Sequence, residues 1–264
     1  MKKQIIVAFS IVMMSACGNE DETALQPQNS ELIVDVGETE NGQTEELGTA
    51  TEEIVETNTN VASENDTGLG TLQSIIPSGW DITLPKNFPV TQGKYLTAIT
   101  FLEQQNVATF RFYETDEELA MNDSNISETG QFVGQLVITK YATAEAASEE
   151  IDKTVFTDGG AVDLGHGITG YQDAGAGSLF TSWNEGRWAI IARSRTEKSA
   201  ESLATARETV EFLETHRMPI PKEYGYLHID AELNGSMAKW QKQNYVYALT
   251  DFGDNTLDWL ITFE

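Results

Sequence analysis

A glycine-rich stretch carries the most specific chemical pattern in the sequence. Residues 164–177 read LGHGITGYQDAGAG, in which Gly165, Gly167 and Gly170 have the spacing of the GxGxxG fingerprint of dinucleotide-binding proteins. That fingerprint requires a helix directly after it, because the positive end of the helix dipole holds the pyrophosphate. Here Tyr171 and the residues after it read as a turn or a strand. The stretch therefore predicts a bulge or tight bend, and no cofactor is expected.

The three histidines, His166, His216 and His228, do not complete a catalytic set. A Ser-His-Asp hydrolase presents its serine on a sharp turn, and no serine of the chain has the GxSxG frame. Zinc is not indicated, because the histidines are far apart and HExxH is absent. We expect His216 to lie at the end of a helix and His228 to point out of a half-buried strand. No catalytic residue is assigned.

Acidic and amide side chains gather in the stretch DFGDNTLD. The side chains with oxygen atoms that could bind a cation are those of Asp251, Asp254, Asn255 and Asp258. Their spacing is not that of an EF-hand loop, and connections rich in Asp and Asn are ordinarily turns. Paired carboxylates for glycoside hydrolysis cannot be selected either, because the sequence does not show which of them come within reach of each other. No metal ligand is assigned.

Aromatic residues in the last third of the chain are the remaining lead to a binding site. Trp240, Tyr245 and Tyr247 are dense there, and the two tyrosines share one face of a strand by its period of two. Such a face could stack against sugars or peptides. The alternative is that these aromatic residues simply pack in the core on one face of the sheet. We name all three as candidate ligand contacts.

The first residues have the pattern of a secretory signal. Lys2 and Lys3 precede an apolar run of about ten residues, which is too short for a membrane-spanning helix of about 20. The motif MSAC that follows resembles the lipobox of bacterial lipoproteins. The resemblance implies a signal peptide over residues 1–16 and acylation of Cys17, with chains such as palmitate, at the outer face of the cell membrane. Because Cys17 is the only cysteine, no disulfide is expected.

Residues 17–71 have the composition of a disordered linker. Glu, Asp, Thr, Asn, Gln and Gly dominate, and there is no Lys or Arg between Lys3 and Lys86. Scattered apolar residues cannot offset the entropy of ordering such a segment. The net charge of the whole chain is −26. Phosphate binding needs clustered basic residues, so nucleic acid is not an expected partner.

Residues 72–264 are expected to form a single domain. KYLTAITFLEQQNVATFRFYET and QFVGQLVITKY read as three strands, and TAEAASEEIDKTVF reads as a helix capped by Thr143. GITGYQDAG and SLFTSWNEGRWAIIARS read as an extended segment and a hairpin, and SAESLATARETVEFLETHR as a second helix. The recurring order suggests a βββα duplication. The last segments, MPIPKEYGYLHIDAEL, KQNYVYALTD and LDWLITF, read as three more strands.

These elements predict an α+β fold. Strands in runs, joined by hairpin-length turns, favour a mostly antiparallel sheet with the two main helices packed on one face. Within the hairpin, a turn at Glu185 and Gly186 would set Trp183 directly across from Trp188. Both indoles would then lie on the core face. A three-residue loop would instead place them on opposite faces.

The folded part also resembles uncharacterised surface lipoproteins of Gram-positive bacteria, in the segments LGHGITGY, WNEGRW and YGYLHID. The resemblance implies no catalytic residues. The leading hypothesis is a lipid-anchored extracytoplasmic domain that binds a cell-wall or protein partner. The alternatives are a cell-envelope hydrolase that uses carboxylates and a sensor module for a membrane signalling protein. A cleft with two close carboxylates would favour the hydrolase, and an open aromatic face would favour the binding domain.

Overall fold

The computed structural model describes residues 72–264 except Gln104, Leu233 and Asn234. All of these residues belong to one unit, Glu56–Glu264. The predicted signal peptide 1–16, the acylation site Cys17 and the linker 17–71 lie outside the described residues. Across the part of the chain that is described, no helix is both long and apolar enough to cross a membrane.

In the described part of the chain, ten strands form one sheet. They are β1 (Tyr95–Glu103), β2 (Val107–Thr115), β3 (Gln131–Lys140), β4 (Gly160–Asp163), β5 (Thr169–Gly175), β6 (Ser178–Glu185), β7 (Trp188–Arg195), β8 (Gly225–Asp230), β9 (Met237–Lys242) and β10 (Tyr245–Thr250). Their order is β1-β2-β3-β10-β9-β8-β7-β6-β5-β4. All neighbours pair antiparallel except β7 and β8, which are parallel. The predicted α+β class and mostly antiparallel sheet are confirmed.

Among the described residues, five α-helices accompany the sheet. They are α1 (Leu72–Ile75), α2 (Ile126–Thr129), α3 (Ala144–Ser148), α4 (Ser199–Thr215) and α5 (Thr256–Ile261). Helix α4 makes the parallel crossover from β7 to β8, and it ends before Pro219 as predicted. Ala206, Val210 and Leu213 lie on its buried side, with Leu203 packed beside them. The period of 3.6 residues therefore identified its core face correctly.

The main hydrophobic core lies on one face of the sheet. Alternate strand residues such as Trp183, Ile190, Leu227 and Tyr247 are almost fully buried there. Helices α4 and α5 and the segment 72–90 cover this face, which we call the covered face. Within that segment, the Gln73 side chain donates to the carbonyl of Ile82 and accepts from the amide of Leu84. These bonds hold an otherwise irregular segment against the sheet.

Helix α3 packs on the other face of the sheet, so the prediction that both main helices share one face was wrong. Ala147 and Ile151 cluster with Val246, which alternates with Tyr245 and Tyr247 along β10 and therefore points away from the covered face. The chain then runs from α3 to the far edge strand β4, whereas α4 leads to a parallel neighbour. The two βββα stretches therefore do not repeat in topology.

Two predictions of local secondary structure were wrong, at segments whose conformation depends on tertiary contacts. The segment LDWLITF forms helix α5 instead of a strand, and it buries Trp259 and Leu260 in the core. A short apolar run does not distinguish helix from strand. Helix α3 is capped by Thr143 as predicted but is only five residues long. Residues 152–158 after it have no regular secondary structure, and the Asn184 side chain bonds to the backbone of Thr154 and Phe156.

The β6–β7 hairpin has a register that differs from both predicted alternatives. Glu185 pairs with Trp188 and Trp183 pairs with Ile190, so Gly186 and Arg187 form the turn. Gly186 has a φ of +56°, which glycine adopts without strain. The pairing differs by two residues from the predicted one, so the faces are unchanged. Trp183 and Trp188 both lie on the covered face, as predicted.

Candidate functional site

A cleft of about 490 Å³ opens at one end of the sheet, on its covered face. It lies between the β6–β7 turn, the C-terminal end of α4 and the segment 216–221 that leads towards β8. Its apolar lining consists of Trp188, Leu213, Met218, Pro219, Ile220 and Pro221. The volume is that of a site for a small organic molecule. Ile220 is 83 % exposed, so its side chain has almost no contact with the rest of the protein.

Hydrogen bonds fix the wall of this cleft to the hairpin. The indole Nε1 of Trp188 donates to the carbonyl of Pro219 at 3.1 Å. Arg187 Nη1 donates to the carbonyls of Pro221 and Lys222 at 2.7 and 2.8 Å. Two prolines also restrict the backbone of this wall. The cleft is therefore shaped before any ligand arrives, which lowers the entropic cost of binding.

Trp188 reaches its position because β8 begins with glycine. Gly225 pairs with Trp188 on one side and with Trp240 on the other. A Cβ at Gly225 would lie 2.6 Å from Cδ2 of Trp188. The missing side chain lets the two indoles approach to 6.2 Å, and Trp240 stacks in turn on Tyr247 at 5.2 Å. An aromatic row thus runs from the core to the cleft.

Glu185 is the acidic residue that lines the cleft. It lies on the covered face as the cross-strand partner of Trp188. Its Oε2 is buried and accepts no hydrogen bond of good geometry from the described residues. Burial raises the pKa of this carboxyl, the indole of Trp183 partly offsets that effect, and the charge of Glu214 raises the pKa further. The carboxyl is therefore an incompletely satisfied acceptor beside an apolar surface.

Two basic side chains complete the lining. His216 stacks on Phe212, with ring centroids 4.1 Å apart, and its Nδ1 donates to the Phe212 carbonyl at 2.9 Å. His216 thus closes the end of α4, as the sequence predicted. The Arg217 side chain is 86 % exposed and lies 4.0 Å from Glu264.

The aromatic residues named as candidate ligand contacts are in the core. Trp240, Tyr245 and Tyr247 are at most 2 % exposed, so they form no open stacking surface. Tyr245 packs on Trp80, and its hydroxyl accepts from the amide of Asp81. The segment 72–90 and helix α5 cover the face that these residues share. The sequence showed the shared face of the tyrosines but not which elements would lie over it.

The first part of the glycine-rich stretch, residues 164–168, forms the turn between β4 and β5. The amide of Leu164 donates to the carbonyl of Ile168, and that of Ile168 donates to the carbonyl of Gly165. Strand β5 starts at Thr169, so a strand follows the glycines, and the predicted tight bend is confirmed. The stretch DFGDNTLD forms a turn and leads into α5. Within the described residues, no group of histidine, cysteine and acidic side chains could hold a metal ion.

An open aromatic patch lies on the outer face of β1–β3, where the sequence analysis placed no site. Tyr95, Phe101 and Phe132 are each about 42 % exposed. Arg111 lies over the Phe101 ring at 5.3 Å, and Tyr113 contacts Phe132 at 5.6 Å. The signal was present in FRFY: Phe110 and Phe112 point into the core, so Arg111 and Tyr113 must point out.

Comparison of the chain with protein-family models, with curated proteins and with solved structures finds no match. The function must therefore be inferred from the geometry and chemistry of the site. The cleft escaped the sequence analysis because it joins a turn, a helix end and a proline-flanked segment that are distant in the chain. One local signal was available, namely the apolar Ile220 between two prolines in MPIPKEY.

Proposed function

We propose that the protein is a lipid-anchored extracytoplasmic binding protein whose ligand site is the cleft beside the β6–β7 turn. The observation that carries the proposal is a preformed apolar cavity of about 490 Å³ whose rim residue Ile220 is 83 % exposed. Large apolar side chains so exposed at the mouth of a cavity are a common mark of an interaction site. The anchor is proposed on the lysines, the short apolar run and the MSAC motif that ends at Cys17.

The cleft proposal predicts saturable binding of a small uncharged aromatic probe. We expect para-fluorobenzyl alcohol to bind the full-length protein, measured by fluorine NMR titration with detergent alone as the blank. Ile220→Asp should weaken this binding several-fold, because it places a hydrated carboxylate at an apolar contact. Ile220 has little contact in the folded protein, so the fold should tolerate the change.

Val155→Asp is the matched control. Val155 is 71 % exposed and lies outside the lining of the cleft, so this substitution adds the same charge to the surface elsewhere. Binding should be unchanged in that variant. Equal loss in both variants would point to a general effect of charge, and absence of saturable binding to the unmodified protein would refute the cleft as the ligand site.

A cell-envelope hydrolase is the second candidate function, and the raised pKa of Glu185 is the observation in its favour. Glycoside hydrolysis needs two carboxyl groups that flank one bond. Glu214 is near enough to influence Glu185, but its side chain lies 3.6 Å from His166 Nδ1 and is not part of the cleft lining. The geometry therefore supports a binding site better than a hydrolytic one. In a sensor module for a membrane signalling protein, the same cleft would bind the ligand that the module detects.

A further inference from the structure

We propose that the cleft selects a ligand with a protonated amine on an apolar body, and that the carboxylate of Glu185 receives the ammonium group. This inference rests on the proposed function, because it names the class of ligand for the same cleft.

The other polar side chains in the lining bond within the protein or face water. The indole N–H of Trp188 donates to Pro219, and the Arg187 guanidinium donates to the carbonyls of Pro221 and Lys222. Nδ1 of His216 donates to its own helix. Arg217 is largely in solvent, where screening by water weakens its interaction with any ligand. Glu185 is the acidic side chain of the lining, and its carboxyl can accept from a donor group of a ligand.

The surroundings of Glu185 favour a cationic donor over a neutral one. Its Oε2 is buried without a well-formed hydrogen bond, and the charge of Glu214 adds like-charge repulsion. An ammonium group would donate to the carboxylate and offset both negative charges, whereas a hydroxyl would supply only the hydrogen bond. Trp188 lies directly across the strand pair and belongs to the apolar lining of the cleft.

The test compares two probes that differ in one group. Para-fluorobenzylamine and para-fluorobenzyl alcohol share the ring, but only the amine is charged near neutral pH. We expect the amine to bind the full-length protein about tenfold more tightly than the alcohol, since a charge-assisted bond replaces a neutral one. In Glu185→Gln this preference should disappear while the alcohol still binds. Glu208→Gln, which removes an exposed charge from α4 outside the cleft lining, should keep the preference.

The outcomes separate the inference from the proposed function. Saturable binding of both probes with equal affinity would leave the cleft as a binding site and overturn the ammonium assignment. A preference for the amine that persists in Glu185→Gln would overturn the role of Glu185. Failure of both probes to bind would refute the proposed function and the inference together.

Discussion

His228 is a buried histidine without a hydrogen-bond partner among the described residues, and its burial makes the stability of the fold depend on pH. It points away from the covered face, between Ile191 of β7 and Met237 of β9. Its Nε2 is buried and makes no hydrogen bond with the described residues. Burial lowers the pKa of this imidazole below its ordinary value of 6.5, the charge of Asp230 opposes the shift, and the charge of Arg193 adds to it. The folded protein therefore favours the neutral form of the His228 imidazole.

Acidification should destabilise the protein through His228. In the unfolded chain the imidazole takes up a proton near its ordinary pKa, whereas the folded state resists protonation. The stability that depends on the neutral ring is thus present above about pH 6.5 and is lost as the pH falls. We expect His228→Leu, which cannot be protonated, to gain stability relative to the unmodified protein between about pH 7.5 and pH 5, as measured by urea unfolding.

His166 provides a control with the opposite sign. Its Nε2 donates to Glu211 at 2.7 Å, and this bond together with nearby Glu214 raises the pKa of the imidazole. Stability from this contact is present at low pH and is lost as the pH rises through the folded pKa. His166→Gln should therefore lose stability relative to the unmodified protein on acidification. The assignment of His228 would be wrong if its variant followed the unmodified protein at every pH.

At the scale of elements, the start of β8 links the sheet to the cleft. Gly225→Ala would place a methyl group 2.6 Å from the Trp188 ring, which is 3 % exposed and tied to Pro219 by its indole N–H. The ring can move only by losing that bond and entering the cleft. We expect a loss of about 1–3 kcal/mol in the free energy of unfolding. Binding of para-fluorobenzyl alcohol should also weaken.

Gly160→Ala is the matched control for that prediction. Gly160 lies on edge strand β4, and the nearest atom to an added Cβ is the Gln172 carbonyl oxygen at 3.9 Å. Urea unfolding and probe binding should both be close to those of the unmodified protein. If Gly225→Ala matched this control in both measurements, Trp188 would not be the rigid wall that the site requires.

The sequence predicted most elements but not how they cover the sheet. Alternating apolar residues identified β1, β2, β3 and β10, and the period of α4 identified its buried side. The strand β9 was missed because its lysines and glutamine mask the alternation around Trp240. The position of α3 and the fold of LDWLITF depend on contacts between distant segments, and so does the burial of Tyr245 and Tyr247. The cleft could not be derived for the same reason.

At the scale of the whole molecule, charge and anchoring are linked. The net charge of −26 disfavours attraction of the chain to anionic lipid headgroups. The described residues contain no helix that could span one. The proposed attachment uses acyl chains at Cys17, and two or more such chains bind stably where one is marginal.

Replacing Cys17 should consequently release the protein. We expect Cys17→Ser to move it from the membrane pellet to the soluble fraction after cell lysis and a high-salt wash, because serine has no sulfur to acylate. Ser15→Ala, which keeps a small residue before the cysteine, should remain in the pellet after the same wash. The wash removes proteins held by charge alone, so the pellet reports the lipid. If the serine variant stayed in the pellet as completely as the alanine variant, attachment would not run through Cys17, and the lipoprotein assignment would fail.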